Sequence, residues 1–289
     1  MTYCQTSLTE RYKIMQKTIL VTGSTDGIGL ETARMLVSQG HYVLLHGRNP
    51  AKLEDVEKTL SGLPGGGHVE SYVADLSRMA DVEALAKAVA EKHDKLDVLI
   101  NNAGVFRVPD PISQDGLDVR FAVNTIAPYL LTQRLLPLLG TSGRVINLSS
   151  AAQSPVDPKA LAGRGRLSDG EAYAQSKLAL TMWSRSVALS LKDKGPAIIA
   201  VNPRSMLGSK MVKQAYGVAG GDLRIGAEIL TRAALADEFA TASGKYFDND
   251  IGQFASPHPD ALDPQKSEEI VRVIEAVWAE ITQSNENHL

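Results

Sequence analysis

The sequence has little of several features that mark particular compartments or partners. Its 289 residues include one cysteine, Cys4, so no disulfide can form within the chain, which favours a reducing, cytoplasmic location. No apolar run approaches the roughly 18 residues that a membrane-spanning helix needs, and residues 1–14 lack the apolar stretch of a signal peptide. The net charge of −3 argues against nucleic acid or a membrane surface as a partner. His46, His93 and His258 show no metal-ligand spacing, so no metal is predicted.

Short β-branched runs alternate along the chain with longer segments of helical period, which is typical of parallel strands joined by crossover helices. Right-handed crossovers place helices on both faces of one sheet, so we predict a single α/β, Rossmann-type domain with a doubly wound parallel sheet over residues 15–289. Residues 1–14 are predicted to be a flexible extension, unless they pack at a defined position. Segments 153–170 and 203–224 are irregular and are predicted to be substrate loops. The predicted strands cover residues 18–22, 42–45, 69–73, 96–100, 144–148 and 197–201, and the longer predicted helices cover 28–39, 50–60, 79–93, 117–139 and 171–192.

A glycine-rich turn lies between the first predicted strand and the first predicted helix. It reads Thr22-Gly-Ser-Thr-Asp-Gly-Ile-Gly29, with its glycines spaced as G-x-x-x-G-x-G. Glycines let the backbone turn tightly and approach a pyrophosphate, and the helix N-terminus offers unpaired N–H groups to that anion. We predict a dinucleotide site here, although the same glycines would also suit an ordinary strand–helix turn. The predicted cofactor contacts in this turn are Gly23, Ser24, Thr25, Asp26, Gly27, Ile28 and Gly29.

The residues after the second and third strands bear on which nicotinamide nucleotide binds. In NAD sites an acidic residue after strand two takes the ribose hydroxyls, but this position is Gly47 here, and Arg48 follows it. The guanidinium of Arg48 suits a 2′-phosphate, so NADP(H) is favoured over NAD(H); the alternative for Arg48 is a solvated turn residue. Asp75, at the end of strand three, is predicted to accept from the adenine amine, to cap the next helix, or both.

Further motifs follow in a fixed order. They are Asp75-Leu76, Asn101-Asn-Ala-Gly104, Asn124, the pair Ser149-Ser150 and Tyr173-Ala-Gln-Ser-Lys177. With the glycine turn they make the chain resemble the short-chain dehydrogenase/reductase family over about residues 17–247. Within that family, the stretches 123–128, 172–179 and 244–247 resemble the retinol-dehydrogenase-like and protochlorophyllide-reductase-like members. The resemblance implies a parallel sheet of about seven strands in the order 3-2-1-4-5-6-7. It also implies an enzyme that acts on CH–OH groups with a nicotinamide nucleotide, and homodimers or homotetramers that pair through the long helices.

The pair Tyr173 and Lys177 carries the predicted proton chemistry. A free tyrosine has a pKa of about 10 and is a poor base at neutral pH, but an adjacent ammonium favours the phenolate. Residues four apart share one face of a helix, so Lys177 lies beside Tyr173. We predict that Tyr173 is the general acid in carbonyl reduction and the general base in alcohol oxidation. One serine of the pair is predicted to hydrogen-bond the substrate oxygen, and the family resemblance implies that it is Ser150 rather than Ser149.

The resemblance implies roles for other residues as well. It implies that Asn124 distorts its helix and holds a water that links Lys177 to solvent, and that Lys177 also holds the nicotinamide ribose. One departure stands at Arg204, where the family has a glycine; arginine is costly there if the position needs a positive φ, and otherwise it faces the substrate entrance or water. The other implied cofactor contacts are Leu76, Asn102, Ala103, Gly104, Tyr173, Pro203 and Ser209.

The sequence is thus compatible with three functions. We predict an NADP(H)-dependent oxidoreductase that interconverts a carbonyl and an alcohol on a small molecule. The alternatives are a C=C double-bond reductase on the same scaffold and a catalytically silent NADP(H)-binding protein. The intact Asn124, Ser150, Tyr173 and Lys177 argue against the silent protein, because binding alone does not need the acid.

Overall fold

One eight-stranded sheet organises the chain. The computed structural model describes residues 15–286, apart from the side chains of residues 215, 216, 285 and 286. Strands β1 to β7 are parallel in the order β3-β2-β1-β4-β5-β6-β7, and β8 adds to β7 in the antiparallel sense. The predicted extension, residues 1–14, lies outside the described residues. The strands are β1 Thr18–Val21, β2 Tyr42–Gly47, β3 His68–Val73, β4 Val98–Asn101, β5 Arg144–Leu148, β6 Ala197–Asn202, β7 Tyr246–Asp248 and β8 Gln253–Ala255.

Helices cover both faces of this sheet, so the predicted doubly wound α/β class is confirmed. The helices are α1 Gly27–Ser38, α2 Pro50–Ser61, α3 Met79–Lys92, α4 Val119–Phe121, α5 Ala127–Leu139, α6 Pro158–Leu161, α7 Asp169–Leu191, α8 Lys210–Tyr216, α9 Leu223–Leu235, α10 Asp237–Ala240, α11 Pro259–Leu262 and α12 Pro264–Glu286, with a π-helical segment at Ala122–Ile126 and a 3₁₀ turn at Lys192–Lys194. Within residues 15–286, no helix combines the length and the apolar character that crossing a bilayer requires.

The helix predicted over residues 117–139 is interrupted at its start. The structure has α4, then the π-helical segment, then α5, which begins just before Pro128. Proline has no N–H to donate to the carbonyl four residues earlier, and its ring clashes with that carbonyl, so the regular α-helical ladder fails at residue 124. A π turn accommodates this break, and such turns are frequent at functional sites. The interruption places Asn124 in the middle of the widened turn.

Two hydrophobic cores lie on opposite faces of the sheet. One packs α3, α5, α7 and α12 against the strands and includes Phe121 and Trp183, both fully buried. The other packs α1, α2 and α9 and includes Leu36 and Phe247. Because helices fill both faces of the sheet, a ligand can bind only among the loops at the strand ends. In a parallel sheet the loops after β1, β4, β5 and β6 all leave the same edge, which therefore carries the candidate site.

The long helices α5 and α7 are both in contact with α12. Tyr129 of α5 donates to the carboxylate of Glu275 at 2.7 Å, and the guanidinium carbon of Arg134 lies 5.4 Å from the ring centroid of Trp278. The helix α12 also packs along α7. Pairing of two chains through these helices, as the family resemblance implies, must therefore use the surface of α5 and α7 that α12 leaves uncovered.

Candidate active site

The glycine-rich turn packs tightly against the segment after β4. A Cβ on Gly23 would lie 2.9 Å from the Cα of Ala103, and one on Gly29 would lie 2.3 Å from Nδ2 of Asn102. Gly23 and Gly27 also have positive φ angles, 65° and 57°. Apart from its chain neighbours and the backbone of its own helix, no atom lies within 4 Å of where a Cβ on Gly27 would be, so this backbone is open to a ligand beside the N-terminus of α1. The turn therefore fits a pyrophosphate, as its sequence predicts.

The side chain of Asn102 fastens this segment to the turn. Its Nδ2 donates to the carbonyls of Thr22 at 2.9 Å and Gly23 at 3.1 Å. The Oγ1 of Thr22 accepts in turn from the backbone N–H groups of Asn102 and Ala103, each at 3.1 Å. These contacts hold residues 102–104 in place between the turn and the centre of the sheet.

Asp26 connects the turn to two lysines. It caps α1 by accepting from the N–H of Gly27 at 2.9 Å, and its carboxylate pairs with Lys52 at 3.0 Å and with Lys210 at 2.6 Å. Burial alone would raise the pKa of Asp26, but the bonds from Lys210, Lys52 and Gly27 lower it to about 2. Lys210 begins α8, so this ion pair ties the predicted substrate loop 203–224 to the phosphate turn.

His46, near the end of β2, supports the turn from below. Its Nδ1 accepts from the N–H of Gly23 at 3.0 Å, and its Nε2 contacts the carbonyl of Ala74 at 3.1 Å. Both contacts are satisfied only by a neutral ring with its proton on Nε2. Burial lowers the pKa of His46 to about 4, which keeps the ring neutral at physiological pH. The backbone of His46 also bonds Ser24 in both directions, at 3.0 Å and 2.9 Å.

The two residues predicted to read the adenosine half differ in their surroundings. Arg48 is exposed directly after β2, and the neighbouring Gly47 leaves space for Thr25, whose Cγ2 lies 2.6 Å from where a Cβ of Gly47 would be. Asp75 accepts from the N–H and the hydroxyl of Ser77, at 3.0 Å and 2.8 Å. The alternative that Asp75 caps the next helix is wrong, because the N-cap position of α3 is residue 78. Leu76 beside it is buried.

Asn124 is held by the segment that follows β4. Its Oδ1 accepts from the N–H of Val105 at 2.8 Å, and its Nδ2 donates to the carbonyl of Val105 at 2.9 Å. Nδ2 also contacts Oγ of Ser176, on α7, at 3.0 Å. This buried amide therefore joins the π-helical segment, the loop after β4 and the helix that carries Tyr173.

Lys177 is a fully enclosed ammonium at the same place. Its Nζ donates to the carbonyl of Leu148, the last residue of β5, at 2.7 Å, and lies 5.8 Å from the ring centroid of Tyr173. A Cβ on Gly104 would lie 3.4 Å from Oδ1 of Asn124 and 3.5 Å from Nζ of Lys177. The structure thus brings Asn124, Lys177 and Tyr173 together. Burial lowers the pKa of Lys177 to about 8.

The serine pair after β5 divides into two environments. Ser149 is buried, and its Oγ is 2.7 Å from Oγ1 of Thr181 on α7. Ser150 is only partly buried, and its Oγ accepts from the N–H of Ala152 at 3.1 Å, which leaves its proton available for donation. This difference favours Ser150 as the group that meets a substrate oxygen.

The loop after β6 has an unusual backbone. Pro203 is buried, while Arg204 is exposed with a φ of 120°, so this position does take the positive φ at which arginine is costly, on the order of 1–3 kcal/mol. Asp250 stabilises the conformation, because its carboxylate accepts from Ser205 N–H at 2.9 Å and from Asn202 at 2.8 Å. Ser209 caps α8 by accepting from the backbone of the first turn, so its hydroxyl proton is also left for a ligand.

Comparison with known proteins agrees with this geometry. Residues 17–217 match the family model described as short chain dehydrogenase. Retinol dehydrogenase 13 from Homo sapiens is 34% identical over 283 residues, covering 91% of this chain and 83% of that protein. The chloroplastic short-chain dehydrogenase TIC 32 A from Brassica napus is 30% identical, covering 80% and 79%. A short-chain dehydrogenase from Burkholderia cenocepacia J2315, solved in complex with NADP, aligns with a TM-score of 0.66 at 25% identity, covering 82% and 97%.

The chain belongs to the short-chain dehydrogenase family. The resemblance seen in its sequence is therefore confirmed, and the structure extends the implied sheet order by one antiparallel strand. It also adds contacts that short-chain dehydrogenase motifs alone do not contain. His46 and Lys210 were not among the predicted site residues, and the one signal for His46 was a histidine inside an otherwise apolar strand.

The neutral ring of His46 leads to a prediction about acid stability. The pKa of His46 is about 4 in the folded chain, below its ordinary value of 6.5, so the unfolded state binds more protons between these values. The contribution of His46 to the free energy of unfolding is complete above pH 6.5 and is lost as the pH falls towards 4. The loss amounts to on the order of 3 kcal/mol. Urea unfolding at pH 7 and pH 4.5 measures this loss. In His46→Gln the free energy of unfolding is expected to differ less between the two pH values than in the wild type.

His68→Gln is the matched control, because His68 is exposed on β3, the next strand of the sheet. It should lose stability between the two pH values as the wild type does. An unchanged pH dependence in His46→Gln would contradict the role assigned to the buried ring.

Proposed function

We propose that this short-chain dehydrogenase is an NADP(H)-dependent oxidoreductase that interconverts a carbonyl and an alcohol, with Tyr173 as general acid and base. The observation that carries the proposal is the enclosed ammonium of Lys177, 5.8 Å from the ring centroid of Tyr173 and next to Asn124. A bound nicotinamide would supply or accept the hydride. The glycine turn and residues 102–104 are the groups that would hold the nucleotide.

Each residue then has a distinct part in reduction. Ser150 donates a hydrogen bond to the carbonyl oxygen and stabilises the negative charge that develops there during reduction. Tyr173 gives its phenolic proton to that oxygen, which completes the alcohol and leaves a phenolate. The ammonium of Lys177 stabilises the phenolate, and Asn124 lines the route by which the proton is replaced. Oxidation of the alcohol runs through the same steps in reverse.

The relatives point to the class of substrate. Proteins named retinol dehydrogenase act on a lipophilic alcohol by their name, and several are more than 30% identical to this chain. An apolar side chain lies at the candidate site here as well, since Phe106 packs against Tyr173. Met206 adds a 45% exposed apolar side chain in the loop after β6. We therefore propose a lipophilic aldehyde or ketone and its alcohol as the substrate pair.

An assay with the wild-type chain tests the proposal. Purified protein should oxidise NADPH, followed by its absorbance, in the presence of at least one member of a panel of lipophilic aldehydes and ketones. The product should be the matching alcohol. A product reduced at a C=C bond would favour the double-bond reductase instead, and NADPH binding without turnover across the panel would favour a catalytically silent protein.

The preference for NADP(H) is proposed to depend on Arg48. Arg48→Ala should raise KM for NADPH about 10- to 100-fold, as expected for one lost charge-assisted contact, while KM for NADH changes little. Lys58→Ala is the matched control, because Lys58 is an exposed cation on α2 that pairs with Glu54. Equal losses with both nucleotides, or an effect in the control, would contradict this role.

Partners and location remain predictions. We expect a small molecule as substrate, with no nucleic acid or membrane partner, in a cytoplasmic setting. A homodimer or homotetramer is still expected, with its interface on the surface of α5 and α7 that α12 does not cover.

A further inference from the structure

Arg120 is a buried charge that the proposed reaction does not use. Its side chain is 1% exposed and lies in α4, directly before the π-helical segment that holds Asn124. Burying a guanidinium is unfavourable unless its donors are paired. The positions of those partners therefore show which elements the charge of Arg120 connects.

Asp118 fixes the direction of this guanidinium. Nε of Arg120 donates to Oδ1 of Asp118 at 2.8 Å, and Nη2 donates to Oδ2 at 2.7 Å. The backbone N–H of Arg120 adds a third bond to Oδ1 at 2.9 Å. Such a two-pronged pair holds the planar group in one orientation. Nη1 is left pointing away from Asp118.

Nη1 contacts two elements that flank Tyr173. It donates to Oδ1 of Asp169 at 2.5 Å and reaches the carbonyl of Phe106 at 3.4 Å. Asp169 is the first residue of α7 and lies four residues before Tyr173, which places it one turn earlier on the same helix face. The ring of Phe106 meets the ring of Tyr173 edge to face, with centroids 4.9 Å apart and an angle of 85° between the planes.

We propose that Arg120 is a positioning residue for Tyr173. Its guanidinium bonds both the first turn of α7 and the backbone of Phe106. These two bonds restrict the position of the phenol that lies between them. This inference rests on the proposed function, since it matters for turnover only if Tyr173 moves the proton. An apolar side chain of similar size could fill the same volume, but it would not impose a direction on its neighbours.

Asp169→Asn tests the inference with little risk to folding, because Asp169 is about half exposed. The variant removes the charge that Nη1 contacts and keeps the shape of the side chain. We expect kcat to fall about 10-fold, since a displacement of about 1 Å at a reacting group costs up to 100-fold. KM for NADPH should stay within about twofold. The apparent pKa of the pH–rate profile should also shift, which loss of packing elsewhere would not produce.

Glu171→Gln is the matched control. Glu171 is also a carboxylate in the first turn of α7, but it bonds Ser168 in a capping box, and glutamine preserves that box. It should leave kcat and the pH–rate profile unchanged. Arg120→Met should lower kcat at least as far as Asp169→Asn, and the double variant should cost no more than Arg120→Met alone. If Arg120→Met does not fold, the comparison of Asp169→Asn with Glu171→Gln still tests the positioning role.

Failure of this inference differs from failure of the proposed function. Wild-type turnover with Asp169→Asn indistinguishable from Glu171→Gln would overturn the positioning role and leave the proposed function standing. Without wild-type turnover, the tyrosinate absorbance assigned to Tyr173, by difference from Tyr173→Phe, is titrated with NADP bound. A midpoint displaced in Asp169→Asn but not in Glu171→Gln supports positioning, and equal midpoints overturn it.

Discussion

Replacing Tyr173 with phenylalanine is expected to lower kcat for carbonyl reduction about 10²- to 10⁴-fold, the usual contribution of a positioned proton donor. The substitution removes only the hydroxyl. The ring stays, so its edge-to-face contact with Phe106, at a centroid distance of 4.9 Å, is preserved. The affinity for NADPH should therefore fall by no more than about tenfold, the cost of one lost hydrogen bond, because the glycine turn that holds the pyrophosphate is untouched. Steady-state rates and a fluorescence titration of NADPH measure the two quantities.

Tyr42→Phe is the matched control for this prediction. Tyr42 begins β2, at the opposite end of that strand from the site, and its hydroxyl donates to Glu70 at 2.8 Å. Tyr42→Phe also removes one phenolic hydroxyl, but at a position away from the candidate site, so turnover should persist. Rates equal to wild type in Tyr173→Phe would contradict the proposed acid–base role, whatever the control shows.

The strands and helices that the sequence predicted share a strong local pattern. Five of the six predicted strands are largely apolar runs that are almost entirely buried, whereas β3, at the edge of the sheet, is only partly buried. Each of the six lies within a few residues of its predicted bounds. By contrast, β7 and β8 have three residues each, too few for a period to show. They exist because of tertiary contacts, with Phe247 and Phe254 packed on each other and on Phe239.

The same division holds at the candidate site. Glycines, a tyrosine and a lysine at fixed spacings can be recognised in a sequence, since the chemistry requires those residue types in that order. The contacts that hold them cannot, because they join residues far apart in the chain. His46 is 23 positions from Gly23, and Arg120 is 49 positions from Asp169. A histidine in a strand and an arginine before a helix are ordinary residues until the fold places their partners.

Lys177→Met is expected to abolish measurable turnover and, at the same time, to raise the stability of the chain at pH 7. Turnover should fail because the charge that stabilises the Tyr173 phenolate is gone. Stability should rise because burial of the ammonium is unfavourable. Its pKa of about 8 lies below the ordinary value of 10.5, a difference worth about 3 kcal/mol. Loss of the bond to the Leu148 carbonyl offsets roughly 1–2 kcal/mol of this gain.

The pH dependence of the Lys177→Met melting temperature distinguishes this explanation from a general packing effect. Between pH 8 and 10.5 the unfolded wild-type chain binds more protons at Lys177 than the folded chain does, so this group makes wild-type stability rise with pH in that window. The advantage of Lys177→Met should therefore be largest at pH 7, a few degrees in Tm, and should shrink towards pH 10. Lys87→Met, a change at a 77% exposed side chain on α3, should show no such trend. A variant less stable than wild type at pH 7 would show that the neighbours of the enclosed ammonium stabilise its charge more than its burial destabilises it.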